Sequence, residues 1–469
     1  MNSVITLLGL ILSAAIVLVV PTLVAPYSLD YGVLTKFDTS KAVLLCAAFA
    51  VPVALFAYRQ KTDGPFLFKL FISALLVRVF FGTVIFAFNG LEFFGGDAIT
   101  YDFYGQAQLL GWGGDKYFQS LVDGFIGTGY ASGWGMVYLV AGIYGLIGRN
   151  MLAVQLVNSV MGAATAVVIF LCAHHVFNNL RVARLAAIAV AFYPSLVLWS
   201  SQGLKDGPIV FLLALSILAT LRLGEKFSVK YAVILVSALF LLLSFRFYVF
   251  YMITAAVGGA FVIGMQKLNT ATFIRQFAII VILGLGLTYL GITRYAEVQL
   301  SQFATLERIQ VSRQDSATSA VSGFGRDIDV STGAGALSAI PLGLLYLLFA
   351  PFPWELASLR QSITLPEMII WWISFPMLVL GLWFSVRYRL RQISPIIIFT
   401  VMLSIAYSIF QGNVGNAYRQ RSQLLVFYFI FVAVGYVLLW EKRDERRRIE
   451  MANREPGEAP LTIPRVQQR

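Results

Sequence analysis

The chain has 469 residues, of which 59% are hydrophobic and only 12% are charged. Because soluble globular proteins carry about 25% charged residues, this composition excludes a soluble enzyme, a fibrous protein and a disordered chain. The formal net charge is +12, but the cations lie in short loops and in the C-terminal tail, where they set membrane topology and do not indicate nucleic-acid binding.

Continuous apolar runs exclude an outer-membrane β-barrel and predict an all-α, polytopic integral membrane protein with about 12 transmembrane helices. The first run lacks a basic segment and a cleavage site, so we expect a retained helix rather than a signal peptide. Two weaker runs, 134–148 and 335–350, are expected to be juxtamembrane or re-entrant helices on the outer face. The full spans are predicted at 4–25, 41–58, 66–88, 151–173, 185–199, 207–221, 231–245, 248–265, 273–293, 367–386, 395–410 and 423–440.

The loops rich in Lys and Arg, and the tail after Trp440, should share the cytoplasmic side. All of them do so only if the two weaker runs do not cross, which places both termini in the cytoplasm. We therefore expect one transmembrane domain over 1–440, with long outer segments at 89–150 and 294–366. Residues 441–469 form a basic tail that we expect to be disordered.

The first outer segment is acidic and contains the sequence GGDAITYD. Asp97 follows two glycines and is well placed to cap a helix, in which Tyr101 would share its face. A second interpretation is a carboxylate held at the membrane surface as a general base. Asp102 lies in the same acidic segment. The sequence leaves both interpretations of Asp97 open.

Other polar residues are expected on the same outer face. Lys205 and Asp206, in SSQGLKDGP, either cap a helix or face the acidic segment across a cavity. Arg246 lies between two apolar runs, where an arginine is costly unless it meets a carboxylate, a phosphate or lipid headgroups. Arg419 and Arg421 are outside, against the usual charge bias, so they contact either headgroups or a substrate.

Three further sets of residues do not indicate a functional site. Arg78 lies inside the apolar run LLVRVFFG, and the sequence offers no explanation for it. Cys46 and Cys172 fall in predicted spans and are expected to be small core residues without a disulfide. The two histidines, His174 and His175, do not have zinc-ligand spacing.

The order of these motifs resembles a known class of enzyme. The succession GGDAITYD, YASGWGMVYLVAGIYGLIGRN and ARLAAIAVAFYPSLVLWSSQGLKDGP resembles the GT-C class of membrane glycosyltransferases. It looks most like the bacterial relatives of dolichyl-phosphate-mannose–protein mannosyltransferases. The turn NAYRQRSQ is similar to the Arg-Tyr-Arg-type segment before a late helix in many of them. The resemblance covers 95–265 well and 366–440 loosely.

The resemblance implies a sugar donor carried on a polyprenyl phosphate and bound from the outer leaflet. Asp97 matches the acidic base of the first outer loop in that family, and Asp206 matches an acidic position near its active cavity. The chain departs from the family in having two extra N-terminal spans and a lone Asp97 in place of an Asp-Glu pair. A divalent cation cofactor stays possible.

We therefore predict an inner-membrane glycosyltransferase that moves a hexosyl or pentosyl group from a polyprenyl-phosphate-linked donor to a lipid or glycan acceptor on the outer face, in surface polysaccharide or glycoconjugate assembly. The alternatives are a polymerase or ligase that uses an undecaprenyl-diphosphate-linked glycan, and a lipid-linked-sugar flippase or transporter, which should carry charges at mid-span. The predicted catalytic residue is Asp97. The predicted substrate-binding residues are Tyr101, Asp102, Lys205, Asp206, Arg246, Tyr248, Arg419 and Arg421.

Overall fold

The computed structural model describes residues 36–88, 90–127, 133–264, 305–356 and 358–452, together with positions 274, 281, 284–286, 288 and 289. Within these residues every regular element is a helix, which confirms the all-α class. The helices are Lys36–Tyr58, Gly64–Ala87, Leu91–Gly95, Asp97–Trp112, Lys116–Gly127, Gly135–Ile147, Met151–Phe177, Leu180–Phe192, Pro194–Ser200, Asp206–Glu225, Val229–Phe245, Phe247–Gly264, Leu306–Ser319, Gly333–Phe349, Leu359–Phe410, Val414–Gln420 and Ser422–Ala452.

The described part of the chain contains fewer candidate membrane-crossing helices than the twelve that the sequence predicts. In the described part of the chain, six helices are long and apolar enough to cross a membrane, or seven if the bent pair Leu180–Phe192 and Pro194–Ser200 counts as one span. The count of twelve is therefore not confirmed. The predicted span 4–25 and most of 273–293 lie outside the described residues. The six are Phe37–Tyr58, Gly64–Ala87, Met151–Phe177, Asp206–Glu225, Leu359–Phe410 and Ser422–Glu445.

The longest of these elements, Leu359–Phe410, folds back on itself. Its backbone leaves the helical region at Arg389, where φ is −135° and ψ is 18°. Trp371 stacks on Tyr428, and the hydroxyl of the same Tyr428 lies 2.9 Å from that of Ser404. Along a straight helix these two partners of Tyr428 would be about 50 Å apart. The element is therefore a hairpin, whose two arms hold the two apolar runs predicted in this region.

The bent helix pair is stabilised by Arg78, the residue that the sequence did not explain. Pro194 has no N–H, so it cannot donate to the carbonyl of Val190 as a helical residue would. Arg78 donates instead, from Nη2 to Val190 O at 3.3 Å and from Nη1 to Ala191 O at 2.7 Å. Its Nε donates to Ser200 Oγ at 2.8 Å. Arg78 thus satisfies the carbonyls that the break exposes, as buried polar backbone requires.

Several basic loops meet at one end of the bundle, which we call the basic end. Arg184 pairs with Asp63 at 2.5 Å, and this contact joins the loop after the first described helix to the helix Leu180–Phe192. The guanidinium of Arg181 lies 4.7 Å from the ring of Trp440. The last helix, Ser422–Ala452, continues through the charged segment after Trp440, which is helical here where we expected disorder. Residues 453–469 lie outside the described part of the chain.

The helix Gly135–Ile147 has both of its ends at the opposite end of the bundle. A side chain at Gly135 would meet the backbone of Ser244 and Phe245. At its other end, the carbonyl of Ile147 accepts a hydrogen bond from Lys41 Nζ at 3.2 Å. This opposite end also carries most of the predicted site residues.

Candidate active site

Four charged residues from distant parts of the chain meet at the end of the bundle opposite the basic end. Asp97 and Asp206 each begin a helix, Asp97–Trp112 and Asp206–Glu225. Arg246 lies at the break between Val229–Phe245 and Phe247–Gly264. Arg419 lies in the last turn of the short helix Val414–Gln420. Helix ends place all four side chains at one level of the bundle.

Arg419 joins the two carboxylates. Its Nη1 donates to Asp97 Oδ2 at 2.6 Å, and its Nε donates to Asp206 Oδ2 at 2.7 Å. The N-cap residues of the two helices are Gly96 and Lys205, so each aspartate is the first helical residue and not the cap. The side chain of Asp97 is 50% exposed, whereas that of Asp206 is only 1% exposed. Asp97 is therefore open to a ligand, while Asp206 is a buried counter-charge.

Arg246 is a second buried cation beside Asp206. Its Nη2 lies 3.7 Å from Asp206 Oδ1, and its guanidinium lies 5.7 Å from the ring of Tyr248. Nε and Nη1 of Arg246 are buried and have no hydrogen-bond partner in the described part of the chain. Tyr248 in turn packs against Phe410, with ring centroids 5.9 Å apart, and so fixes the position of the guanidinium. Unsatisfied buried donors of this kind are rare and call for an acceptor.

Lys205 and Tyr101 complete the charged group. Asn158 Nδ2 donates to the carbonyls of Gln202 and Leu204, both at 2.7 Å, and so fixes the loop that carries Lys205. Burial, and after it the positive charge of Arg246, lowers the pKa of the Lys205 ammonium to about 7. Burial, and after it the negative charge of Asp97, raises the pKa of Tyr101 above its usual range.

The charges at this site do not cancel. Three cations, Lys205 when protonated, Arg246 and Arg419, face two carboxylates, Asp97 and Asp206, which leaves a formal charge of +1. Charge-assisted hydrogen bonds from arginine are a common means of binding phosphate. The arrangement therefore favours an anionic ligand.

A cavity of about 580 Å³ opens beside Asp97 and Arg419. This volume lies within the usual range for small-molecule sites. Its wall includes hydrogen-bonding side chains, namely Ser322, Arg360, Gln361, Thr364, Asn413 and Asn416. Residues 320–322 form one side and are held in place because Phe324 N donates to Gly412 O at 2.8 Å and Val414 N donates to Ser322 O at 3.1 Å.

Trp199 is a cavity residue that we did not single out from the sequence. It lines the cavity, and the guanidinium of Arg419 lies 5.7 Å from its ring. Its indole Nε1 is buried and has no hydrogen-bond partner among the described residues. A sequence signal for Trp199 was available, since it follows Pro194 in the segment that resembles glycosyltransferases. We read this segment as one continuous apolar run, however, and so did not predict the helix break that places Trp199 at the cavity.

Two of the predicted site residues are directed elsewhere. Asp102 pairs with Arg149 and accepts a hydrogen bond from Tyr144 Oη at 2.5 Å. Arg421 is 1% exposed, donates to the carbonyl of Ala350 and lies 3.0 Å from the sulfur of Met368. Both therefore have protein partners away from the cavity and Asp97.

The described residues contain no group of three His, Cys, Asp or Glu side chains that could hold a metal ion. Asp97 and Asp206 are instead joined through Arg419. We therefore derive no step through a metal.

Comparison with known proteins gives a family match for part of the chain. Residues 133–290 match the profile of the dolichyl-phosphate-mannose-protein mannosyltransferase family. The resemblance that the motifs predicted is thus confirmed over this segment, which contains Lys205, Asp206, Arg246 and Tyr248 but neither Asp97 nor Arg419. No curated protein sequence matches the chain.

Among solved structures, the chain is similar to the archaeal oligosaccharyltransferase AglB from Archaeoglobus fulgidus, in complex with an inhibitory peptide and a dolichol-phosphate. The sequence identity is 15% and the TM-score is 0.40. The match covers 70% of this chain but only 44% of that chain.

Proposed function

We propose that the chain is a membrane glycosyltransferase that moves a sugar from a lipid-phosphate-linked donor to a hydroxyl group in the cavity beside Asp97. The observation that carries the proposal is Arg419, which joins the half-exposed Asp97 at the cavity wall to the buried Asp206, beside the second buried cation Arg246. The match of residues 133–290 to a family of mannosyltransferases supports it.

The reaction follows from the charges. Arg246, Arg419 and Lys205 bind the donor phosphate, which occupies the unused donors of Arg246. The acceptor oxygen attacks the anomeric carbon while the bond from that carbon to the phosphate oxygen breaks. The electron pair stays on the lipid phosphate, which leaves as an anion and needs no proton. Asp97 takes the proton of the acceptor hydroxyl, a contribution typically worth about 10²–10⁴ in rate.

The ion pair between Arg419 and Asp97 sets the sequence of donor binding and acceptor activation. While Arg419 donates to Asp97 Oδ2 at 2.6 Å, that oxygen is not available to an acceptor hydroxyl. A donor phosphate competes for Arg419 and frees that oxygen for the acceptor. Donor binding therefore precedes activation of the acceptor.

The wider setting that we propose is the one expected from the sequence. The cations of the basic end favour a cytoplasmic position for that end, which puts the Asp97 cavity on the outer face of a bacterial cytoplasmic membrane. There the donor is a polyprenyl-phosphate sugar, the acceptor is a lipid or a glycan, and the product belongs to surface polysaccharide or glycoconjugate assembly. Twelve spans and two non-crossing helices complete this topology.

The test uses the purified full chain in nanodiscs with a radiolabelled polyprenyl-phosphate sugar. We expect release or transfer of the labelled sugar by the wild type, and none when a nucleotide sugar replaces the lipid donor. Asp123→Asn is the control, because Asp123 is an exposed carboxylate bonded only to Gln119 among the contacts we describe. Turnover of a diphosphate-linked glycan in place of the monophosphate donor would contradict the proposal and favour a polymerase.

A further inference from the structure

A second cavity lies at the basic end, far from Asp97. Its volume is about 230 Å³, and it opens between the helices Lys36–Tyr58, Met151–Phe177, Asp206–Glu225 and Val229–Phe245. Its floor is apolar and consists of Val168, Leu171, Leu215, Leu218 and Ile234. Its mouth is polar and carries Gln60, Arg222, Lys230 and Tyr231.

The mouth bears two cations and, among the described lining residues, no carboxylate. Nε of Arg222 is buried and has no hydrogen-bond partner in the described part of the chain. Glu225, one turn further along the same helix, lies 3.3 Å from His175 at a neighbouring cavity. Lys230 extends over Tyr231, with its ammonium 5.9 Å from the ring. A cationic mouth above an apolar floor is complementary to an anionic amphiphile.

We propose that this cavity binds an anionic phospholipid of the leaflet at the basic end. Its phosphate binds Arg222 and Lys230, and one acyl chain lies along the apolar floor formed by Val168, Leu215 and Leu218. A free phosphate would leave the apolar floor in contact with water, and an uncharged lipid would leave both cations unmatched. Basic pockets between transmembrane helices are known to take anionic headgroups.

The bound lipid also has a structural consequence. The helix Phe37–Tyr58 is the least buried of the candidate spans, with 22% of its apolar window buried inside the protein. Phe56 at its C-terminal end lines the cavity together with residues of three other helices. A lipid held there adds apolar contacts between this helix and the rest of the bundle, so it should stabilise the fold independently of any transferase activity.

The experiment measures lipid retention by native mass spectrometry and thermal unfolding, with the full chain in a mild detergent. The probes are phosphatidylglycerol and phosphatidylcholine with the same acyl chains. We expect the wild type to retain phosphatidylglycerol at least tenfold better and to unfold at a higher temperature with it. Arg222→Gln with Lys230→Gln should remove that preference.

The matched control changes the same charge at the same end. Arg181 and Arg387 are exposed cations that lie over aromatic rings and do not line the cavity, so Arg181→Gln with Arg387→Gln should keep the preference. Leu215→Trp fills the floor and should weaken lipid retention with both cations intact.

Equal losses of lipid preference in the two double variants would show an effect of general surface charge and overturn the proposal. Unchanged retention in Leu215→Trp, or displacement of the lipid by millimolar inorganic phosphate, would overturn the acyl-chain contact. None of these readouts depends on sugar transfer.

Discussion

Asp97 and Asp102 lie on one helix, five residues apart, and their surroundings are opposite. Asp102 is buried and bonded to Arg149 and Tyr144, so both its oxygens are satisfied by protein. Asp97 is half exposed at the edge of a cavity of about 580 Å³, and one oxygen is bonded to Arg419. A carboxylate with all its partners supplied by the protein has a structural role, whereas one with a free side facing a cavity can act on a ligand.

Arg419 and Arg421 repeat the contrast two residues apart. Arg421 is buried against Ala350 and Met368 and does not line the cavity beside Asp97. Arg419 lines the cavity and bridges the two site carboxylates. Arg421 directly follows the short helix Val414–Gln420 and keeps helical backbone angles. Residues two apart on a helix point in nearly opposite directions, so one short segment supplies both a site residue and a core residue.

The largest expected effect separates the two aspartates. Asp97→Asn should lower sugar transfer by about 10²–10⁴ at nearly normal expression, because the amide cannot take the acceptor proton. Asp102→Asn should instead lower the free energy of unfolding by on the order of 1–3 kcal/mol, because Arg149 and Tyr144 lose a charged partner. The measurements are transfer rate per folded molecule and denaturation midpoint.

The opposite result for the two variants would contradict this assignment. If Asp102→Asn abolishes transfer at an unchanged unfolding midpoint, then the buried Asp102 is the base and Asp97 is not. Asp123→Asn again serves as the control for loss of an exposed carboxylate.

Lysine variants of the two arginines should change different quantities, the KM for the lipid donor at Arg419 and the unfolding midpoint at Arg421. Arg419→Lys keeps the charge but cannot donate to Asp97 and Asp206 at once, so the KM for the lipid donor should rise about tenfold, roughly 1.4 kcal/mol. Arg421→Lys should leave that KM within about twofold and should lower the unfolding midpoint, because a buried guanidinium loses its hydrogen bonds. A silent Arg419→Lys variant would remove Arg419 from donor binding.

Sequence reasoning selected residues that the structure brings together, but it could not separate those that line the cavity from those that are bonded within the protein. An arginine between two apolar runs is costly to bury, which predicted a charged partner for Arg246. Asp206 Oδ1 lies 3.7 Å from Arg246 Nη2. Position along a helix already separates Asp97 from Asp102, which lie about 140° apart around the axis. The identity of each partner could not be predicted, because Arg149, Ala350 and the break at Pro194 belong to segments brought together only by tertiary packing.

The count of twelve spans is not confirmed, for a related reason. A hydropathy run gives the position of a helix but not its length, and the apolar helices Val229–Phe245 and Phe247–Ile263 are shorter than the candidate spans. The hairpin at Arg389 was visible as two runs with arginines between them, but its turn is almost without a loop. Charge placement was the better guide, since it brought the basic loops to one end.

The smallest expected effect is a pH dependence that tests whether Lys205 belongs with the site or with the buried structural cations. Burial lowers the pKa of its ammonium to about 7, so Lys205 is charged below that pH and neutral above it. The donor phosphate is a diester, which stays singly charged over this range. The KM for the donor should therefore rise several-fold, up to about tenfold, between pH 6 and pH 8.5, as one cation is lost from the phosphate site. Lys205→Arg should bind the donor well at both pH values, and Lys205→Gln should show the high KM throughout. The same pH step in the KM of all three proteins would assign the titration to another group and leave Lys205 as a structural residue.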